Sequence, residues 1–247
     1  MNLVRFAFVV SLLIGGNLFA QSTKLKLEKS DHVSIIGNTL AVRLQHDSWV
    51  ETYIHALHPD LELTFRNLAF PGDELKTRPR EDNFGSPEEW LTKNDSDVVF
   101  AFFGYNEALK GPDGLVAFRK DLADVIDGML SQKYNGDTAP QIVMFSPIAH
   151  EDLNDPNLPN GSENNANLHL YTEAMREVCA TKKVVFVDLF GPTQQLYSNS
   201  EKPLTMNGVH LLPHGNKALA AVVAKSLFGK EQPEISLQEL LKRQKIR

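Results

Sequence analysis

Residues 97–103 read Asp-Val-Val-Phe-Ala-Phe-Phe, an almost unbroken apolar run that stops at Gly104. A strand that is apolar at nearly every position has no solvent face. It belongs inside a sheet covered on both sides, which is the situation of a buried parallel strand. Residues 141–145 (QIVMF) and 184–189 (VVFVDL) repeat the pattern, and residues 32–36 (HVSII) and 61–68 (LELTFRNL) complete five short β-rich runs. Between and after them lie segments with apolar residues at helical spacing, at 41–57, 115–130, 165–180 and 214–228. This alternation predicts an α/β fold, a parallel sheet with helices on both faces. Residues 76–94, charged and proline-containing, and the polar residues 154–165 read as surface loops.

At 247 residues and 42% hydrophobic, the chain can bury one sizeable core, and no internal repeat or domain-sized linker divides it. A net charge of −6, without a basic patch in the body of the chain, argues against nucleic acid as a partner. Cys179 is the only cysteine, so no intrachain disulfide can form. Arg5, the short apolar run 6–16 and Ala20 before Gln21 have the layout of an export signal. The expected organisation is a signal peptide at 1–20, a lead-in at 21–31, one α/β domain at 32–229 and a charged helical tail at 230–247. The mature chain is expected to be periplasmic or secreted, with no stable membrane span.

In open α/β sheets, ligands bind beyond the carboxyl ends of the strands. The residues there are Gly37-Asn38-Thr39-Leu40, then 67–72, Gly104-Tyr105-Asn106-Glu107, and 146–151; Asn207-Gly208-Val209-His210 precedes the last helix. In this order and spacing the chain resembles the SGNH (GDSL-like) hydrolases, and more loosely their diverged exported members from planctomycete-type bacteria. GNTL stands where that family has Gly-Asp-Ser-Leu, Gly72 in RNLAFPGDE where it has its second-block glycine, GYNE where it has Gly-x-Asn-Asp, and NGVH where it has Asp-x-x-His. The resemblance implies a three-layer α/β/α sandwich with a mostly parallel, flavodoxin-like five-stranded sheet. It also implies a nucleophilic hydroxyl at Thr39, a base at His210 oriented by Asn207, and an oxyanion hole built from Thr39, Gly72 and Asn106.

The departures bear on the chemistry. Thr39 replaces serine, and its methyl restricts χ1 and crowds a tetrahedral centre. Asn207 replaces the aspartate that orients the histidine, and an amide cannot offset an imidazolium charge. Asn38 replaces a further aspartate. Tyr105, Glu107, His150 and Glu151 are expected near the crevice as substrate contacts. Plainer readings stay open beside these: Thr39 capping the helix that follows, Gly37 and Gly72 as turn glycines, Asn106 as a turn residue. No HExxH pattern, cysteine pair or dinucleotide fingerprint is present, so neither metal nor cofactor is expected.

Two functions follow from this reading. The first is an exported ester hydrolase acting on a small-molecule or carbohydrate ester, such as an O-acyl group on sugar. The second is a catalytically weak or inactive carbohydrate-binding module that keeps the crevice, with Phe70, Tyr105 and the loop 154–165 touching sugar.

Overall fold

The five apolar runs form five parallel strands, in a computed structural model that describes residues 24–79, 83–229 and 235. They are β1 (His32–Gly37), β2 (Thr64–Asn67), β3 (Val98–Phe102), β4 (Gln141–Phe145) and β5 (Val185–Val187), in the order β2-β1-β3-β4-β5. Every neighbouring pair is parallel. The order reverses between β1 and β3, so the carboxyl ends of these two strands form the topological switch point. The expected signal peptide and the charged tail lie outside the described residues, Ile235 excepted.

All five residues of β3 are buried, and they alternate between two cores. Val98, Phe100 and Phe102 pack with α1 (Thr39–Asp47), α2 (Trp49–Leu57) and α8 (Pro213–Phe228). Val99 and Ala101 pack on the other face with α3 (Pro87–Lys93), α5 (Leu115–Leu130) and α6 (Ser162–Lys182). The chain is thus a three-layer α/β/α sandwich, as the strand pattern requires.

Local structure departs from the sequence reading in five places. The helix expected over 41–57 is two helices, broken at Ser48, which takes left-handed backbone with φ 48° and donates its N–H to Leu44 O. The loop expected over 76–94 contains α3. There the Ser86 side chain accepts from Glu89 N and the Glu89 side chain accepts from Ser86 N, with Pro87 at the first helical position. The single turn α4 (Tyr105–Ala108) and the helix α7 (Phe190–Asn199) were not foreseen. Helix α6 starts at Ser162, inside the expected loop 154–165.

Candidate active site

The site begins where β1 meets β3. An added Cβ at Gly37 would lie 2.1 Å from Phe102 O, and φ there is +129°, so only glycine lets the two strand ends approach this closely. Asn38 N then donates to Phe102 O (3.1 Å), and Asn38 Oδ1 accepts from Leu40 N (3.1 Å). Asn38, not Thr39, is therefore the N-cap of α1. This leaves the half-buried Thr39 at the first helical position with no side-chain hydrogen bond among the described residues.

Thr39 lines a crevice of about 260 Å³ at the switch point. Asn106 and Tyr105 after β3, Ser146-Pro147-Ile148 after β4, and Val209-His210-Leu211 before α8 form its other walls, together with Leu40, Arg43, Phe102, Phe103 and Asn216. Four of the expected site residues thus meet here: Thr39, Tyr105, Asn106 and His210. The Asn106 amide, like the Thr39 hydroxyl, makes no hydrogen bond with another described residue. The plain reading of Asn106 as a turn-forming side chain does not hold. The Tyr105 hydroxyl accepts from Asn164 Nδ2 (2.8 Å), and burial pushes its ionisation above the ordinary tyrosine value.

His210 is held by Asn207 just outside the crevice wall. Its Nδ1 lies 3.0 Å from Asn207 Oδ1, and that same oxygen accepts the backbone N–H groups of His210 (3.0 Å) and Val209 (3.3 Å). Two N–H donors fix that atom as the carbonyl oxygen, because an amide nitrogen there would face them donor to donor. Asn207 therefore asks for a proton on Nδ1 and leaves Nε2 as the basic nitrogen. That is the tautomer a general base acting through Nε2 needs. Burial, and then the nearby Arg43 charge, hold the His210 imidazolium below its ordinary pKa.

Four other expected residues sit elsewhere. Gly72 is exposed on the loop after β2 and does not line the crevice. That loop is tied to the end of β1 by Phe70 N donating to Gly37 O (3.0 Å). Glu107 is buried, with one oxygen accepting from Gly104 N (2.9 Å) and the other from Leu75 N (2.9 Å). It braces the α4 turn that carries Asn106 and is not placed to touch substrate. Burial raises its carboxyl pKa against the backbone N–H groups of Leu75, Glu107 and Gly104, which lower it. Glu151 is also buried and accepts from Leu204 N, Thr205 N and the Thr205 hydroxyl, while its own N–H donates to Gly208 O (2.8 Å). It holds the loop that presents His210. The His150 ring packs against Gly208, where a Cβ would lie 2.3 Å from Nε2, and its Nδ1 bonds Asn164 Nδ2 (3.1 Å). Both residues are buried against the loop 204–208, a placement that a strand-end reading cannot foresee.

Sequence reasoning missed Arg43 and Asn216. Arg43 stands four residues after Thr39 on α1, one helical turn along the same face, and that spacing was a usable signal. Among the described residues no group of three or more His, Cys, Asp or Glu side chains is arranged to hold a metal ion. Nor is any described helix long and apolar enough to cross a membrane.

The fold is shared with solved hydrolases. The chain is similar to the gut microbial diltiazem-metabolizing enzyme BT4096, with TM-score 0.67, 17% identity, 84% of this chain and 49% of that one covered. It thus spans about half the length of that enzyme. An acetylxylan esterase from Geobacillus stearothermophilus, Axe2, matches with TM-score 0.63, 14% identity, 86% of this chain and 100% of the esterase covered. A lipase/acylhydrolase from Enterococcus faecalis matches with TM-score 0.59, 19% identity, 83% of this chain and 100% of that protein covered. No curated protein matches the sequence significantly. The family model of the GDSL-like lipases and acylhydrolases matches residues 35–218, which run from β1 through the crevice loops into α8. The chain belongs to the GDSL-like lipase/acylhydrolase family of hydrolases.

Proposed function

We propose that this chain is an exported ester hydrolase with a Thr39–His210–Asn207 site, acting on O-acyl groups of a small or carbohydrate alcohol. The observation that carries this reading is the meeting of Thr39, Asn106 and His210 on one crevice, with the Thr39 hydroxyl and the Asn106 amide free of other hydrogen-bonding duties. In this mechanism Thr39 Oγ1 attacks the ester carbonyl while His210 Nε2 takes its proton. The developing oxyanion accepts from Thr39 N–H, unpaired at the start of α1, and from the Asn106 amide. Collapse expels the alcohol, protonated by His210, and leaves an acyl-Thr39 ester. Water, deprotonated by His210, then releases the acid.

Catalytic mutants of the Geobacillus acetylxylan esterase replace a serine, an aspartate and a histidine, the last two at the i, i+3 spacing of Asn207 and His210. That correspondence and the apolar walls at Phe102, Pro147 and Ile148, suited to a short acyl chain, support an ester as substrate. The export half of the proposal rests on residues 1–20 alone. The neutral Asn207 and the extra methyl of Thr39 favour slow turnover, and in the limit a crevice that binds acylated sugar without cleaving it.

The test measures hydrolysis of 4-nitrophenyl acetate and acetylated xylo-oligosaccharide by purified protein, with Thr39→Ala and His210→Ala as controls. Wild-type turnover that both variants abolish is expected. Wild-type silence combined with sugar binding would replace the hydrolase by the binding module.

A further inference from the structure

Arg43 lies half-buried on the wall of the crevice, and no described carboxylate pairs with its charge. Of its five N–H groups, one donates to another described residue, from Nη2 to Leu211 O (3.2 Å), a neutral acceptor. Nε is buried with no partner, and no carboxylate among the described residues forms an ion pair with the guanidinium. A guanidinium stays charged at any working pH, so a chain that keeps one here keeps a permanent cation on an otherwise largely apolar wall. Asn216 supplies a second unanswered group on the same crevice. It is buried, its Nδ2 donates to Asp47 Oδ2 (2.6 Å), and its Oδ1 is buried without a partner.

We propose that Arg43, with Asn216 beside it, is a recognition subsite for a carboxylate on the substrate, so that the preferred esters are anionic. The proposal rests on the hydrolase reading for the position of the ester and adds the class of substrate. The carboxylate accepts from the remaining Nη1 and Nη2 N–H groups of Arg43, a planar pair that matches its geometry. Asn216 Oδ1 stands behind that pair as a buried acceptor without a partner among the described residues. Charge-assisted hydrogen bonds of this kind carry discrimination of about tenfold to a hundredfold against a neutral isostere.

The experiment compares 4-acetoxybenzoate with its methyl ester, two acetyl esters that differ in one charge. The expected kcat/KM ratio favours the anion at least about tenfold in wild type and falls to near one in Arg43→Gln, with Arg43→Lys in between. A residue that only holds the His210 loop through Leu211 O would lower both rates together and leave the ratio intact, and that result overturns the proposal. So does a wild-type ratio near one. If neither ester is turned over, the hydrolase reading fails, and calorimetric binding of the two compounds still decides this one. Tighter binding of the anion, lost in Arg43→Gln, supports the subsite, and equal binding overturns it. Should Arg43→Gln not fold, displacement by benzoate against benzamide on wild type reads the same preference.

Discussion

Asn207→Asp separates the two things an aspartate does for a catalytic histidine. In the serine-protease template, the reverse change costs about 10⁴ in kcat, largely because the imidazole takes the wrong tautomer. Here the tautomer is already set, since Asn207 Oδ1 collects Val209 N–H, His210 N–H and Nδ1–H together. An aspartate would keep those three contacts and add only its charge. Charges about 4 Å apart interact by about 4 kcal/mol at an effective dielectric of 20, an upper bound that water access at a half-buried site reduces. An effective gain of about 1.5–3 kcal/mol in the transition state corresponds to about 10–100-fold in kcat/KM. The sign of the pH effect is fixed as well. His210 must be neutral to act as base, and burial with Arg43 now holds its pKa below the ordinary value, so the acid limb of the wild-type profile lies low. A carboxylate at 207 stabilises the imidazolium, raises that pKa and moves the limb to higher pH. The assay is the pH dependence of kcat/KM on 4-nitrophenyl acetate, compared on each plateau, with a nitrogen NMR assignment of the wild-type tautomer. A gain of 10⁴ or more would mean that the wild-type imidazole carries its proton on Nε2. An unmoved limb and plateau would mean that residue 207 does not touch the base in solution. Either result refutes the reasoning.

Asn106→Ala removes one of the two proposed oxyanion donors on the crevice wall and is expected to lower kcat by about 10²–10³ with little change in melting temperature. Gly37→Ala forces a Cβ to within 2.1 Å of Phe102 O at positive φ, and denaturant unfolding should show a loss above about 3 kcal/mol. Glu107→Gln leaves either Leu75 N or Gly104 N facing an amide NH₂, and the same measurement should register a loss of about 1–3 kcal/mol.

Much of the fold was legible because buried parallel strands write themselves as apolar runs. Residues 141–145 and 115–130 match β4 and α5 to the residue. Ser48 was not legible, because a serine in left-handed backbone carries no signature and the apolar spacing runs on through it. Helix α3 was legible in principle, through Ser86, Pro87 and Glu89, but the surrounding charge pointed to a loop. For the site, strand ends located Thr39 and Asn106 because topology places strand ends together, and the block resembling Asp-x-x-His before the last helix located His210. They misplaced Glu107, Glu151 and His150, since position along the chain says nothing of which way a side chain turns after the strand stops. Burial and the supply of unpaired backbone N–H groups decided that, and both belong to the folded state.

The substitutions that set this chain apart from its family share one physical character. Asn38, Glu107 and Asn207 stand where the family has aspartate, and each still presents an acceptor oxygen to backbone N–H groups: Leu40 for Asn38, Gly104 and Leu75 for Glu107, Val209 and His210 for Asn207. Geometry is retained at all three positions, and negative charge is lost at two of them. Both losses fall on the flanks of the crevice, at the Thr39 turn and at the His210 loop, while the buried Glu107 that braces the Asn106 turn stays a carboxyl group. Removing carboxylates from these two flanks while keeping Arg43 turns the local field toward positive, which weakens the histidine as a charged intermediate and strengthens the hold on an anion. If Thr39 and His210 act as proposed, the same change that slows general-base catalysis on a neutral ester favours substrates that bring their own negative charge to the crevice.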